Sequence, residues 1–340
     1  MSFVVVTGSA GLVGANLIRA LLGQGQRVRA LVHHNRQALE GLDVEEVMGD
    51  VRDPDSLRRA FAGAEVVYHA AAYISISMDD WTRLEAVNVS GTRNVVAACL
   101  QSGVRRLVHF SSIEALEPTP AGTVVDESRP LVSSRHYPPY ARSKAAGEIE
   151  VRQGQARGLD AIVLYPTAIV GPNDYRLGFA STGLLALCNG GLPALVAGGF
   201  DWVDVRDVVA GAMQAAGRAP AGERYILSGH WASLREIATL ATDIAGVRPP
   251  RLVAPMWLAR LGAPFITTWS RLTGRPPLYT SAALTPLRKY RLISHDHASR
   301  DLEYRPRPLH DTILDTWQWF AANGLCGSRL SARGETSETA

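Results

Sequence analysis

The feature that most constrains this chain is a glycine-rich turn at its front. Residues 3–6 form an apolar, β-branched run, and Thr7-Gly8-Ser9-Ala10-Gly11-Leu12-Val13-Gly14 leads from it into a helix-period segment over 12–22. Glycine at 8 permits a tight turn, and glycine at 11 lets backbone N–H groups approach a pyrophosphate. Glycine at 14 allows a helix to pack closely on a strand. The helix N-terminus adds a field that favours an anion. The same glycines would also serve a bare turn, but strand, turn and helix inside a βαβ unit is the context of a dinucleotide cradle.

The rest of the chain keeps that rhythm. Short apolar runs at 27–32, 44–48, 66–69, 106–111 and 161–164 alternate with longer helical patterns, among them 84–101. Strand and helix alternating in this way predict an α/β fold, a doubly wound parallel sheet of the Rossmann type. At 340 residues the chain holds one large α/β unit or about two units. The pattern loosens after Gly171 into glycine- and proline-rich stretches. A dinucleotide-binding core over 1–170 is expected, with a return segment near 201–230. A smaller C-terminal substrate-binding region then covers 171–200 and 231–325. The small, polar residues of 326–340 read as a disordered tail.

Composition excludes several functional classes. The formal charge of +3 is too small to predict nucleic-acid binding. Cys99, Cys188 and Cys326 are widely spaced, so neither a disulfide framework nor a metal site follows, and a reducing, cytoplasmic setting is expected. The most apolar late stretch, 253–272, is interrupted by Pro255, Arg260, Pro264 and Arg271, short of the roughly 20 uninterrupted apolar residues of a membrane span. The opening run lacks the basic start of a signal peptide.

Of 35 basic residues, 33 are arginine and only Lys144 and Lys289 are lysine. A lysine kept against that bias suggests a site where a compact, flexible point charge fits and a planar guanidinium does not. Lys144 stands four residues after Tyr140, behind Pro138 and Pro139, which suit a helix start. Residues four apart share a helix face, so phenol and ammonium can enter one cleft. A phenol with pKa about 10 is a poor acid or base at neutral pH, and a fixed cation is expected to lower it. A surface helix carrying an unrelated tyrosine and lysine is the plainer alternative.

With these motifs in order, the chain resembles the extended short-chain dehydrogenase/reductase superfamily over roughly residues 2–322. The spacing Gly8-x-x-Gly11-x-x-Gly14, the segment "GDVRD" with Asp50, "HAAA" from His69 and "NVSGT" from Asn88 carry the likeness, with Tyr140-x-x-x-Lys144. "VRALV", "SRLTGRPP" and "LEYRPRPLHDTILDTWQWF" are similar to the dihydroflavonol reductase-like branch and to hopanoid-associated sugar epimerases. The resemblance implies a catalytic set of Ser112, Tyr140 and Lys144, with Ser111 structural. It places Thr7, Gly8, Ser9, Gly11, Leu12, Val13 and Gly14 in the cradle and Asp50 and Val51 near an adenine. Ala70, Ala71, Ala72 and Asn88 would follow along the cofactor, and Pro166 and Thr167 at the nicotinamide face. It also implies a homodimer through the helices bearing Asn88 and Tyr140. Tyr165 and Val170 depart from the family, which usually has Arg and Tyr there.

Register puts Val32, not a carboxylate, where an NAD enzyme holds the ribose 2′-hydroxyl, and His33 and Arg36 follow. NADP is therefore favoured over NAD. Tyr73, Ser112, Ile113, Glu114, Tyr165 and Phe179 are the expected substrate neighbours. The segments 73–81, 177–185 and 254–265 are mostly apolar, which favours a bulky alcohol or ketone over a nucleotide sugar. An epimerase or dehydratase with tightly bound NAD, served by Arg176, Arg271, Arg288 or Arg291, is the alternative. A cofactor sensor without chemistry is a third.

Overall fold

Strand β1 (Val4–Thr7) runs at the heart of a parallel sheet in a computed structural model describing residues 2–118, 122–192, 194–258, 287 and 290–326. Glycine-turn residues lead from it into α1 (Leu12–Gly23), which returns the chain to β2 (Val28–Val32) and then β3 (Glu45–Met48). Helix α2 (Pro54–Phe61) starts at Asp53, whose carboxylate accepts from the Asp55 N–H, and it leads to β4 (Val66–His69). Next, α3 (Trp81–Leu84) passes through a π-helical turn, Glu85–Ser90, into α4 (Gly91–Gln101) and β5 (Arg106–Phe110). Helix α5 (Pro139–Ala156) and β6 (Ala161–Pro166) complete this run.

Beyond Pro166 come β7 (Ala168–Val170), α6 (Phe179–Cys188), β8 (Ala194–Val196) and β9 (Gly199–Asp204). They are followed by α7 (Val205–Arg218), β10 (Arg224–Leu227), β11 (His230–Ser233) and α8 (Leu234–Ala245). The described chain closes with β12 (Leu252–Ala254), α9 (Asp296–Leu302) and α10 (Leu309–Ala322). The order in the large sheet is β10-β6-β5-β4-β1-β2-β3, all parallel, beside a three-stranded sheet β11-β9-β7 and the pair β12-β8.

Alternation along each strand builds two core layers. Val4 and Val6 face Leu17, Ile18 and Leu21 of α1 and Val208 and Ala212 of α7. Val5 faces the other way, onto Leu57 and Phe61 of α2 and Val95 and Cys99 of α4. Each such fully buried side chain contributes about 1.5–3 kcal/mol.

Three local departures from the expected pattern have physical causes. The seventh strand, 224–227, lies outside the expected strand runs although Tyr225, Ile226 and Leu227 are fully buried, and it joins the sheet by pairing with β6 alone. Strand β6 continues to Pro166, where pairing passes from β5 to β10 and proline's missing donor costs nothing on the β5 side. Helix period over 84–101 is interrupted by the π-helical turn, whose wider hydrogen-bond ring has no signature in the apolar spacing. Residues 327–340 and Lys289, Arg271 and Arg288 lie outside the described residues.

Candidate active site

The cradle is set by contacts that leave no room for side chains. Gly8 turns with φ +70°, and a Cβ there would stand 2.6 Å from the carbonyl carbon of Ala70 and the nitrogen of Ala71. At Gly14 a Cβ would stand 2.2 Å from the Gly8 oxygen. A Cβ on Gly11 would meet only that oxygen, at 3.3 Å, so this glycine fronts the open side of the turn. Gly11 is also the extended residue before α1, with no side-chain cap and no acidic residue in the first turn. The N–H groups of that turn, around Leu12 and Val13, are therefore available to an anion. A pyrophosphate fits this surface. Ser9 does not face it: its hydroxyl is buried and donates to the Leu31 carbonyl at 2.8 Å.

At the ends of β2 and β3, the expected basic cluster is tied to carboxylates. His33 Nε2 lies 3.0 Å from Asp50 Oδ2, and Arg36 Nε lies 3.2 Å from Glu46 Oε2. Arg52 donates to both oxygens of Asp50, and this holds the Asp50 carboxyl below its usual range. Val51 turns inward, 6% exposed, and its carbonyl accepts from Asn94 Nδ2 at 3.0 Å.

A directional hydrogen-bond chain joins β1 to α5. The Ala71 N–H donates to Thr7 Oγ1, 3.3 Å away, and Thr7 Oγ1 stands 2.8 Å from His69 Nδ1. On the other side Thr92 Oγ1 donates to the Asn88 carbonyl, so it accepts from His69 Nε2 at 3.1 Å. This leaves Nδ1 of His69 as acceptor. Asn88, in the π-helical turn, accepts from the Tyr73 N–H and donates to the Tyr73 carbonyl and to Ser143 Oγ. Ser143 Oγ in turn donates to the Tyr140 carbonyl at 2.7 Å. Burial and the Lys144 charge push the His69 imidazole down to about 3, so it stays neutral.

Ser112, at the exit of β5, accepts from the Glu114 N–H at 3.2 Å, and its hydroxyl stands near enough to the Tyr140 phenol to favour the phenolate. Tyr140 lies in the first turn of α5, and Lys144, one turn on, is 4% exposed. Its Nζ donates to the Phe110 carbonyl at 2.6 Å. Burial pushes the Lys144 ammonium down to about 8, against the pull of Glu148. The phenol shift runs opposite to the sequence expectation: burial and the Glu114 carboxylate raise Tyr140, while the Ser112 hydroxyl lowers it. Desolvation of the phenolate is the largest cause, the Glu114 carboxylate adds to it, and Lys144 is not among the groups that shift the phenol.

Several expected substrate neighbours are differently placed. Tyr165 is fully buried and donates to Glu148 Oε1 at 2.6 Å, so it packs from β6 against α5 and does not line the cleft. Ile113 is likewise 6% exposed within the core layer around Leu116. Tyr73 donates to Asp80 Oδ2 at 2.9 Å under the Arg83 guanidinium, and Phe179 opens α6, partly exposed. Pro166 is buried, and the Thr167 hydroxyl donates to Asp201 Oδ1 at 2.7 Å. Sequence reading missed Glu148 and Asp201. Glu148 had a signal, the i+4 step from Lys144; Asp201 had none, since its partners are 34 and 28 residues away.

A cavity of about 570 Å³ lies between Phe3, Arg27, Glu65 and Arg105, at the opposite, amino-terminal edge of the sheet. No acid–base pair comparable to Tyr140 and Lys144 lines it. Among the described residues no group of three or more His, Cys, Asp or Glu could hold a metal, and no helix is long and apolar enough to cross a membrane.

Known proteins are similar to this chain in sequence and fold. The model of the NAD dependent epimerase/dehydratase family matches residues 4–228. Sterol demethylase protein B of Methylococcus capsulatus is 35% identical over 94% of this chain and 99% of its own length. A dihydroflavonol 4-reductase candidate of Synechocystis sp. is 31% identical over 94% of each chain. The crystal structure of gox2253 superposes with TM-score 0.84 at 33% identity, covering 96% of this chain and all of its own.

Proposed function

Because the chain belongs to the NAD dependent epimerase/dehydratase family, an extended group of NAD(P)-dependent short-chain dehydrogenases and reductases, we propose that it reduces or oxidises a bulky, mostly apolar ketone or alcohol. The observation that carries this reading is the meeting of Ser112, Tyr140 and Lys144 at the carboxyl end of β5, beside the glycine turn. The substrate class is supported by the sterol and dihydroflavonol names of the two relatives and by the apolar stretches around Phe179.

A bound nicotinamide cofactor would supply or accept the hydride. Thr7, Gly8, Gly11 and the first turn of α1 would hold its pyrophosphate, with Asp50, Ala70, Ala71, Ala72, Asn88, Pro166 and Thr167 along its length. Ser112 would donate a hydrogen bond to the substrate oxygen and Tyr140 would give that oxygen its proton. Lys144, cationic at neutral pH, would steady the charge left on the phenol. Glu114, which already raises the phenol, keeps Tyr140 in the acid form suited to reduction.

NADP is the favoured form. Strand β2 ends in buried Val32 with no carboxylate for a ribose 2′-hydroxyl. Arg36 keeps a 58% exposed side chain, and an exposed pair with Glu46 is worth only about 0–1 kcal/mol, so a phosphate can displace it. The reading includes a cytoplasmic homodimer through α4 and α5, where Ile149 is exposed, and its three free thiols suit a reducing compartment.

The test is a panel of apolar ketones and alcohols assayed separately with NADPH and NADH, alongside Tyr140→Phe. Turnover with NADPH that falls about 10²–10⁴-fold in the variant supports the reading. Unchanged turnover in Tyr140→Phe overturns it. Cofactor retained through purification, with sugar-nucleotide turnover, would replace it by the epimerase reading.

A further inference from the structure

Glu148 is fully buried, one helical turn beyond Lys144 and two beyond Tyr140. Its two oxygens are used differently. Oε1 accepts from Tyr165 at 2.6 Å and from Arg152 Nε and guanidinium nitrogen at 3.1 and 2.7 Å. Oε2 accepts from Ser111 Oγ at 3.2 Å, and Ser111 directly follows Phe110, whose carbonyl receives the Lys144 ammonium. One strand end thus grips both Lys144 and Glu148.

We propose that Glu148 is a positioning residue that keeps Lys144 in its ammonium form and aimed at the carboxyl end of β5. This rests on the reductase reading only for the consequence in turnover. The groups that face Lys144 are Tyr140 and Glu148 of α5, His69 of β4 and His109 of β5. Both imidazoles are held neutral by burial and by the lysine's own charge, so of these four Glu148 is the carboxylate. Around Glu148 itself stand Ser111, Tyr165 and Arg152, with Arg224 of β10 felt through Tyr165. Arg152 is 43% exposed at the side chain, so water screens its competition for the carboxylate. Tyr165 stands where the family usually has arginine. A neutral phenol there leaves Glu148 more negative toward Lys144 than a second guanidinium would.

The chain's two lysines make a direct test practicable. The protein is labelled with lysine carrying carbon-13 at Cε, and Lys289→Arg assigns the signals. Midpoints are followed in wild type, Glu148→Gln and Glu148→Asp, with the alkaline limb of ketone reduction measured on the same samples. The Lys144 midpoint should fall by about 1–3 pH units in Glu148→Gln and by less in Glu148→Asp. The alkaline limb should move with it, while turnover on the acid side of the shifted midpoint is largely kept. A midpoint unchanged in whichever variant folds, or an equal loss of activity at every pH, overturns the proposal. A shifted midpoint in a protein that turns over no ketone leaves the lysine assignment standing and removes the reductase reading instead.

Discussion

Asn88 Nδ2 donates to Ser143 Oγ at 2.9 Å, and this bond fastens the π-helical turn before α4 to the first turns of α5. The same amide closes two bonds with the Tyr73 backbone. Asn88→Ala would strip three partners at once and leave the half-buried Tyr73 backbone groups and the Ser143 hydroxyl without this amide. An expected loss of about 2–4 kcal/mol follows from roughly 1 kcal/mol per bond plus desolvation of what remains. Urea unfolding of the variant checks it; a midpoint equal to wild type contradicts it.

Two glycines of the same helix should respond with opposite sign. Gly14→Ala must push a methyl against the Gly8 carbonyl, 2.2 Å from the Cβ position, at a cost of about 1–3 kcal/mol and with weaker nicotinamide binding. Gly23→Ala meets nothing within 4 Å at the other end of α1, and should stabilise by about 0.5–1 kcal/mol. Thermal unfolding of both, with NADPH titrated into Gly14→Ala, separates the two effects.

Cofactor choice should turn on Arg36. Removing its guanidinium in Arg36→Ala is expected to raise KM for NADPH about tenfold, the worth of a charge-assisted bond at an exposed site, and to leave KM for NADH alone. Glu46→Gln frees Arg36 from its 3.2 Å partner and should lower KM for NADPH. Equal changes for both cofactors would remove Arg36 from the phosphate site.

Acid should weaken the fold below about pH 6.5. His69, at about 3 in the folded state, and His109, held well below its ordinary range, are both buried and neutral. Unfolded histidine titrates near 6.5, so below that pH the unfolded chain binds more protons and stability falls as pH falls. The slope is about 1.4 kcal/mol per pH unit for each histidine. Neither nitrogen of His109 has a hydrogen-bond partner, so His109→Leu should be tolerated at pH 7 and should roughly halve the slope between pH 6 and 4. Stability measured at three pH values in both proteins decides this.

Local features were readable before any coordinates. Gly8, Gly11 and Gly14 announce their turn because backbone sterics act within a few residues. Tyr140 and Lys144 announce a shared face because the helix repeat fixes it, and the arginine bias of the chain makes the lysine conspicuous. The parallel sheet follows from the alternation of apolar strands with helices, the inner strands β1, β4, β5 and β6 buried on both faces.

What only the tertiary structure decided lies between residues far apart in the chain. Thr7 meets His69 across 62 residues, Asn88 meets Ser143 across 55, and Ser111 meets Glu148 across 37. The direction of the Tyr140 shift and the retreat of Tyr165 from the cleft to Glu148 belong to this class. Sequence spacing determines which side chains can share a strand or helix face. Burial and hydrogen-bond partners, and with them the charge state of each group, exist only once separate elements have packed together.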